Sequence, residues 1–236
     1  MSGFILSNPK SNILSIKAIK HSLTLILLFA DASIIFKLLL LGDTSVGKTS
    51  FILRYIDGKF EEDSLLIKIG LDEVRNKFLK RGDKKIKLNI WDTFLEKERF
   101  MKIAKNFLKS IDGIILMYDI SKKDSFKGIK GWINYINEKV DISKIALIVV
   151  GNKCDLPDNV KEVDEKDKNI FEKEFNMKVI EASAKNDINV NECFIALTDK
   201  MLDLGLGKKP EDDNVEDEIR LSPPRMNHHY GCAGRK

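Results

Sequence analysis

Gly42-Asp43-Thr44-Ser45-Val46-Gly47-Lys48-Thr49 follows an apolar run over residues 34–41 and opens a segment of helical character. It fits G-x-x-x-x-G-K-[ST], and a strand before it with a helix after it is the setting in which that pattern forms a phosphate-binding loop. Glycines let the backbone wrap closely round an oxyanion, so that consecutive N–H groups point inward. The N-terminus of the following helix adds partial positive charge. Lys48 brings a point charge for the β- and γ-phosphates, and the Thr49 hydroxyl suits Mg²⁺. Outside this setting Gly42 and Gly47 would be turn glycines beside an exposed lysine; the flanking strand and helix argue against so bland a role.

Asn152-Lys153-Cys154-Asp155 directly follows a β-rich run over residues 145–151. It therefore sits at the carboxyl end of a strand, where open α/β sheets bind ligands. A carboxylate accepts two hydrogen bonds from the N1–H and exocyclic amine of guanine, whereas adenine offers no such donor pair, so Asp155 would choose the base. The stem of Lys153 suits the flat ring, and Asn152 is placed to tie this loop to the phosphate loop. Alone, N-K-x-D is a weak four-letter match. Behind a phosphate loop and ahead of Glu181-Ala182-Ser183-Ala184-Lys185 it reads as part of a guanine-nucleotide site.

At this point the chain resembles the Ras-type small GTPases, and among them the Rab branch, over about residues 36–204. Ile69-Gly70-Leu71-Asp72 is similar to the Rab I-G-x-D-F element, with Glu73 in place of its Phe. Lys87-Leu88-Asn89-Ile90-Trp91-Asp92-Thr93 resembles the K-L-x-I-W-D-T strand, and Glu98-Arg99-Phe100 the E-R-F that follows it. Leu116-Met117-Tyr118-Asp119-Ile120-Ser121, Ser125-Phe126 and Trp132 match the next strand and helix. The resemblance implies a three-layer α/β P-loop fold with a six-stranded, mostly parallel sheet and helices on both faces. It implies GTP or GDP with Mg²⁺, held by residues 42–50 (Gly42, Asp43, Thr44, Ser45, Val46, Gly47, Lys48, Thr49, Ser50), Phe60, Asn152, Lys153, Asp155, Ser183, Ala184 and Lys185, with Thr49 and Asp92 serving the metal. It also implies effectors, an exchange factor or an activating protein as partners, and a role in vesicle traffic at the cytosolic face of endomembranes.

Composition agrees with one soluble-type domain. The chain has 236 residues, 32% of them charged and 43% hydrophobic, and a single ordered set of motifs. A net charge of +4 is too mild to argue for nucleic acid and at most favours an anionic surface such as a membrane. Three scattered cysteines, Cys154, Cys193 and Cys232, have no metal spacing and an odd count, which fits free thiols in a reducing compartment.

Expected strands are 36–41, 84–91, 113–119, 146–151 and 179–182, with 71–79 as an antiparallel edge strand turning at Arg81-Gly82-Asp83. Val190, Cys193, Phe194, Leu197 and Met201 fall on one face of the last helix, which reads as its packed face rather than a partner groove. The domain is expected over 34–205, with an apolar and basic extension before it and a linker-like tail over 206–236.

Two loops depart from the family pattern. Where the family carries a Thr before I-G, this chain has Lys68, or Ile67 when counted forward from Phe60, a one-residue insertion. Neither is a hydroxyl, and Ser64 lies too far back. The second loop, usually W-D-T-A-G-Q-E-R-F, reads Trp91-Asp92-Thr93-Phe94-Leu95-Glu96-Lys97-Glu98-Arg99-Phe100. The γ-phosphate-contacting Gly becomes Leu95 or Glu96, and the water-orienting Gln becomes Glu96 or Lys97, so no catalytic residue is assigned. The resemblance then implies slow hydrolysis with similar affinities for GDP and GTP. The alternative is a pseudo-GTPase that binds guanine nucleotide and does not switch.

The ends are less informative. Lys10, Lys17 and Lys20 precede Leu23-Thr24-Leu25-Ile26-Leu27-Leu28-Phe29 and Ala30-Asp31-Ala32, which imitates a secretory signal but reads better as an amphiphilic extension or a misassigned start. Cys232 is fifth from the end and followed by Ala233-Gly234-Arg235-Lys236, so the C-a-a-X rule fails.

Overall fold

The computed structural model describes residues 32–60, 74–92 and 107–210. Among the described residues six strands and four α-helices follow in the order β1 (Ile34–Gly42), α1 (Lys48–Asp57), β2 (Val74–Arg81), β3 (Lys84–Asp92), β4 (Gly113–Asp119), α2 (Lys123–Lys139), β5 (Ala146–Asn152), α3 (Glu165–Phe175), β6 (Val179–Glu181) and α4 (Val190–Asp203). The sheet order is β2-β3-β1-β4-β5-β6. Only the β2–β3 pair is antiparallel. Parallel strands covered on both faces read as continuous apolar runs, and β1, β4 and β5 are such runs.

Strand alternation sorts side chains into two cores. Phe36, Leu38 and Leu40 of β1 join Phe51, Ile52 and Tyr55 of α1 and Cys193, Phe194, Leu197 and Met201 of α4. Tyr55 stacks on Phe194 with ring centroids 3.8 Å apart. Leu39 and Leu41 instead join Phe126, Ile129, Trp132 and Ile136 of α2 and Phe171 of α3. The expected packed stripe of α4 is therefore core, and the three-layer, mostly parallel architecture is the one the sequence implied.

The β2–β3 hairpin turns at Gly82-Asp83, with Arg81 opposite Lys84 and Gly82 at φ +58°. A positive φ at the first central position suits a two-residue hairpin loop, and glycine meets it without steric cost. The expected edge strand is described over Val74–Arg81; residues 71–73 lie outside the described residues.

The packed chain also runs past both expected boundaries. Ala32 is buried, and Ser33 donates from its hydroxyl to the Lys85 carbonyl at 3.0 Å. Beyond Gly205, Leu206 packs on the first core, and Ile35 and Lys208 exchange backbone hydrogen bonds at 2.8 and 3.0 Å. Gly207 at φ +96° is needed there, since a Cβ would lie 2.6 Å from both Ile34 and Phe36. Asp112 holds this junction, accepting from Lys37 N at 2.8 Å and Gly207 N at 3.2 Å.

Among the described residues no helix is long and apolar enough to cross a membrane. The apolar stretch at 23–29, the tail with Cys232, and the loop residues Ser64, Ile67, Lys68, Phe94, Leu95, Glu96 and Lys97 all lie outside the described residues.

Candidate functional site

The carboxyl ends of β1, β3, β4 and β5 converge on the turn between β1 and α1. Gly42 at φ +147°, Ser45 at +65° and Gly47 at +96° give this turn alternating left-handed residues, the backbone form that gathers N–H groups into an anion-binding nest. Close approach enforces both glycines: a Cβ on Gly42 would sit 2.1 Å from the Met117 carbonyl oxygen, and one on Gly47 2.4 Å from Asn152 Nδ2. The helix α1 starts at Lys48 with no side-chain cap and no acidic residue in its first turn. Its leading N–H groups and positive pole face the loop without a competing carboxylate. Val46 anchors the turn in the core, while Thr44 and Ser45 are exposed and Ser50 is half-buried in the first turn of α1.

Lys48 is 9% exposed, and its Nζ donates to the carbonyls of Gly42 and Asp43, each at 2.9 Å. Burial lowers its pKa, against the opposing pull of Asp92 and Asp43. A desolvated ammonium held by two neutral carbonyls lacks a full counter-charge, a deficit that a phosphate group would fill.

Thr49 Oγ1 donates to Asp92 Oδ2 at 2.6 Å, and Asp92 Oδ1 is buried with no hydrogen-bond partner among the described residues. Burial raises the Asp92 pKa, although Thr49, Lys48 and Arg75 counter it. A buried carboxylate oxygen without a donor, beside a hydroxyl and an ammonium, fits a hard divalent cation on the Thr49–Asp92 pair.

At the end of β5, Asn152 is 2% exposed and bridges two loops. Its Nδ2 donates to the Val46 carbonyl at 2.9 Å, and its Oδ1 accepts from Ala184 N at 3.1 Å. Lys153 sits at φ +71°, unusual for a residue with a side chain. Its Nζ donates to the Ser45 carbonyl at 3.1 Å and pairs with Asp119 Oδ2 at 2.6 Å. Asp119 is 1% exposed. Burial would raise its pKa, but Lys153 and Ser121 together hold it below the usual carboxylate value. Asp155 Oδ1 accepts from Ser183 Oγ at 2.5 Å, and Ser183 Oγ in turn accepts from Asn186 N at 3.0 Å.

The phosphate loop, Asn152-Lys153-Asp155 and Ser183-Ala184-Lys185 are thus brought together at one end of the sheet, with Thr49 and Asp92 beside Lys48. A family model described as Ras family matches residues 37–203. The chain belongs to the Ras family. Its relatives place it on the Rab branch. It is 39% identical over 164 residues to the GTP-binding protein YPTM1 of Zea mays, covering 70% of this chain and 76% of that protein. It is 34% identical to the Ras-related protein RABD2c of Arabidopsis thaliana, covering 84% and 96%. It is 36% identical to the GTP-binding protein Rab-3D of Rattus norvegicus, covering 84% and 90%.

For this Ras-family member the sequence did not single out three side chains that the structure places at the site. Asp119 anchors Lys153. Trp132 Nε1 donates to Asp43 Oδ1 at 3.3 Å, reaching the phosphate loop from α2. Arg54, on the last turn of α1, donates to the carbonyls of Ala184, Lys185 and Gly58 and lies 6.0 Å from the centroid of the Phe60 ring. An acidic residue closing the apolar strand Gly113–Asp119 was the one visible hint among them.

Proposed function

We propose that this Rab-branch protein binds GDP and GTP with Mg²⁺ and serves vesicle-mediated membrane traffic through effectors, with slow hydrolysis of GTP. The observation that carries the nucleotide reading is the joint between halves: Asn152 bonds the phosphate loop at Val46 and the base-side loop at Ala184. A ligand with a polyphosphate at one end and a purine at the other suits both.

In this reading residues 42–50 cradle the α- and β-phosphates with backbone N–H groups, and Lys48 supplies charge. Thr49 and Asp92 would hold Mg²⁺, which supplies Lewis-acid neutralisation of phosphate charge. Asp155 takes the guanine N1–H and amine, oriented by Ser183. The stem of Lys153, pinned at its ammonium by Ser45 and Asp119, lies along the ring plane, with Phe60 beside the base and Ala184 and Lys185 closing over it.

Hydrolysis is the weaker half. The loop carrying Leu95, Glu96 and Lys97 lacks the Gly and Gln of the family pattern, and the loop carrying Ile67 and Lys68 lacks its Thr. Losing a water-orienting Gln removes turnover rather than binding, which keeps a pseudo-GTPase as the second reading. Tightly retained GDP together with single-turnover release of phosphate from GTP would support the first. No release over hours, with equal dissociation constants for GDP and GTP, would select the second. Retention of ADP as firm as that of GDP would sink both. A cytoplasmic location with peripheral attachment to endomembranes, by Cys232 or the segment 23–29, belongs to the same proposal. Fractionation of a Cys232→Ser variant and of a chain lacking the residues before Ser33 tests it.

A further inference from the structure

We propose that Arg54 is a positioning residue for the purine, holding the base-side loop and the approach to Phe60 on the same rigid helix that begins at the phosphate loop. The inference rests on the guanine-nucleotide reading and deepens it. Arg54 Nε donates to the Ala184 carbonyl at 2.8 Å and Nη2 to the Lys185 carbonyl at 2.9 Å, while Nη1 reaches the Gly58 carbonyl at 2.7 Å. Three donors of one planar group therefore grip two chain segments, and the Phe60 ring lies under the guanidinium. The fork geometry of arginine fixes the angle between those segments, which a lysine point charge cannot do.

Its position gives the grip a function. Arg54 is six residues after Lys48 on one helix, so the phosphate loop and the guanidinium move together. Ala184 is also tied toward the phosphate side by the bond from its N–H to Asn152, whose amide reaches Val46. With Arg54 removed, the loop keeps its own turn, Ser183 to Ile188, but loses the guanidinium's tie to the helix that begins at the phosphate loop. The base-reading carboxylate follows it, because Asp155 is held by Ser183. Loosening this loop widens the purine slot without touching any phosphate contact.

The test uses the full chain and ribose-labelled GDP and IDP, the second lacking the exocyclic amine assigned to Asp155. Arg54→Ala and Arg54→Lys are compared with Arg81→Ala, which removes an arginine fork on Asp199 at the hairpin end of the sheet, opposite the site. Loss of charge-assisted bonds of this kind predicts GDP release faster by on the order of 10- to 100-fold in both Arg54 variants. The preference for GDP over IDP should fall in parallel, with the unfolding midpoint of the nucleotide-free chain lowered no more than by Arg81→Ala. GDP release at the wild-type rate, or equal acceleration of GDP and IDP together with a large loss of stability, overturns the proposal. A wild-type chain that prefers GDP to IDP and ADP while its Arg54 variants do the same refutes the role of Arg54 and leaves the nucleotide reading standing. A wild-type chain without that preference removes both.

Discussion

Replacing Asn152 by alanine should cost this protein stability as well as nucleotide. Asn152 is 2% exposed, and its amide satisfies two backbone groups, the Val46 carbonyl and the Ala184 N–H. Truncation leaves both groups unpaired in a region that excludes water. Each orphaned group costs about 1–3 kcal/mol, so the pair costs roughly 2–6 kcal/mol. Against a total of about 5–15 kcal/mol for a typical domain, that is a large fraction. With a urea slope of about 2 kcal/mol per molar, a loss near 4 kcal/mol moves the midpoint down by about 2 M. Asn152→Asp separates the two bonds: it retains an acceptor for Ala184 N and turns a second oxygen toward the Val46 carbonyl. It should fall below wild type while forfeiting guanine retention. Urea unfolding of the nucleotide-free chain, followed by fluorescence, reads the first effect, and release of labelled GDP reads the second. A midpoint within about 0.3 M of wild type for Asn152→Ala would show that the two loops do not depend on this amide.

Lys48→Ala should weaken GDP and GTP alike, because the lost charge serves the phosphates common to both; calorimetric titration giving an unchanged GDP affinity would refute the assignment. Asp155→Ala should abolish the preference for guanine over adenine nucleotides in a competition assay while leaving the unfolding midpoint close to wild type. Asp112 supplies a pH prediction. Burial raises its pKa, with the Lys37 and Gly207 N–H groups and the Lys37 and Lys208 charges opposing. A raised folded value means its contribution to stability is complete below the unfolded aspartate value and is lost as pH rises through the folded value. The stability of wild type minus that of Asp112→Asn should therefore decline from acid to neutral pH, and a flat difference across that window would disprove it.

Legibility followed the range over which each signal is encoded. The strand Gly113–Asp119 stands in the sequence with its final boundaries, because a strand buried on both faces must be apolar throughout and stops where polarity returns. The phosphate loop was legible because backbone angles and a following helix are local properties. Arg54 was not, since two of its three acceptors are carbonyls 130 and 131 residues away, and a carbonyl is common to every residue type. Its partners leave no trace in composition or spacing. Gly207 was misplaced in the tail for a related reason: a glycine required by close approach to Ile34 and Phe36 is written the same way as a linker glycine. Asp119 could have been found, as a carboxylate buried at a strand end demands a cation, and Lys153 is the one that answers.

In the proposed reading, most of the groups assembled at the described site would meet parts of the ligand that GDP and GTP share. In that reading Asp155, Ser183 and Lys153 would address the base and Lys48 and the loop amides the phosphates, with Asn152 and Arg54 joining the two groups. An equilibrium between two states moves only as far as a ligand's differential affinity for them. A frame of this kind would raise affinity for both nucleotides through the base and the phosphates they share, while Lys48 also brings charge toward a γ-phosphate. In the same reading the further difference between the two nucleotide states would come from residues 61–73 and 93–106, which lie outside the described residues and where Lys68 or Ile67 stands for a threonine and Leu95 or Glu96 for a glycine. A lysine favours the extra phosphate by charge alone and needs no left-handed backbone, whereas leucine or glutamate in place of the glycine is strained if the backbone must turn there. The two substitutions therefore push in opposite directions on the same equilibrium. The ratio of the GDP and GTP dissociation constants in Lys68→Ala against the unmodified chain is the quantity that tests the first: a ratio that shifts toward GDP makes Lys68 the sensor, and an unchanged ratio removes Lys68 from that role.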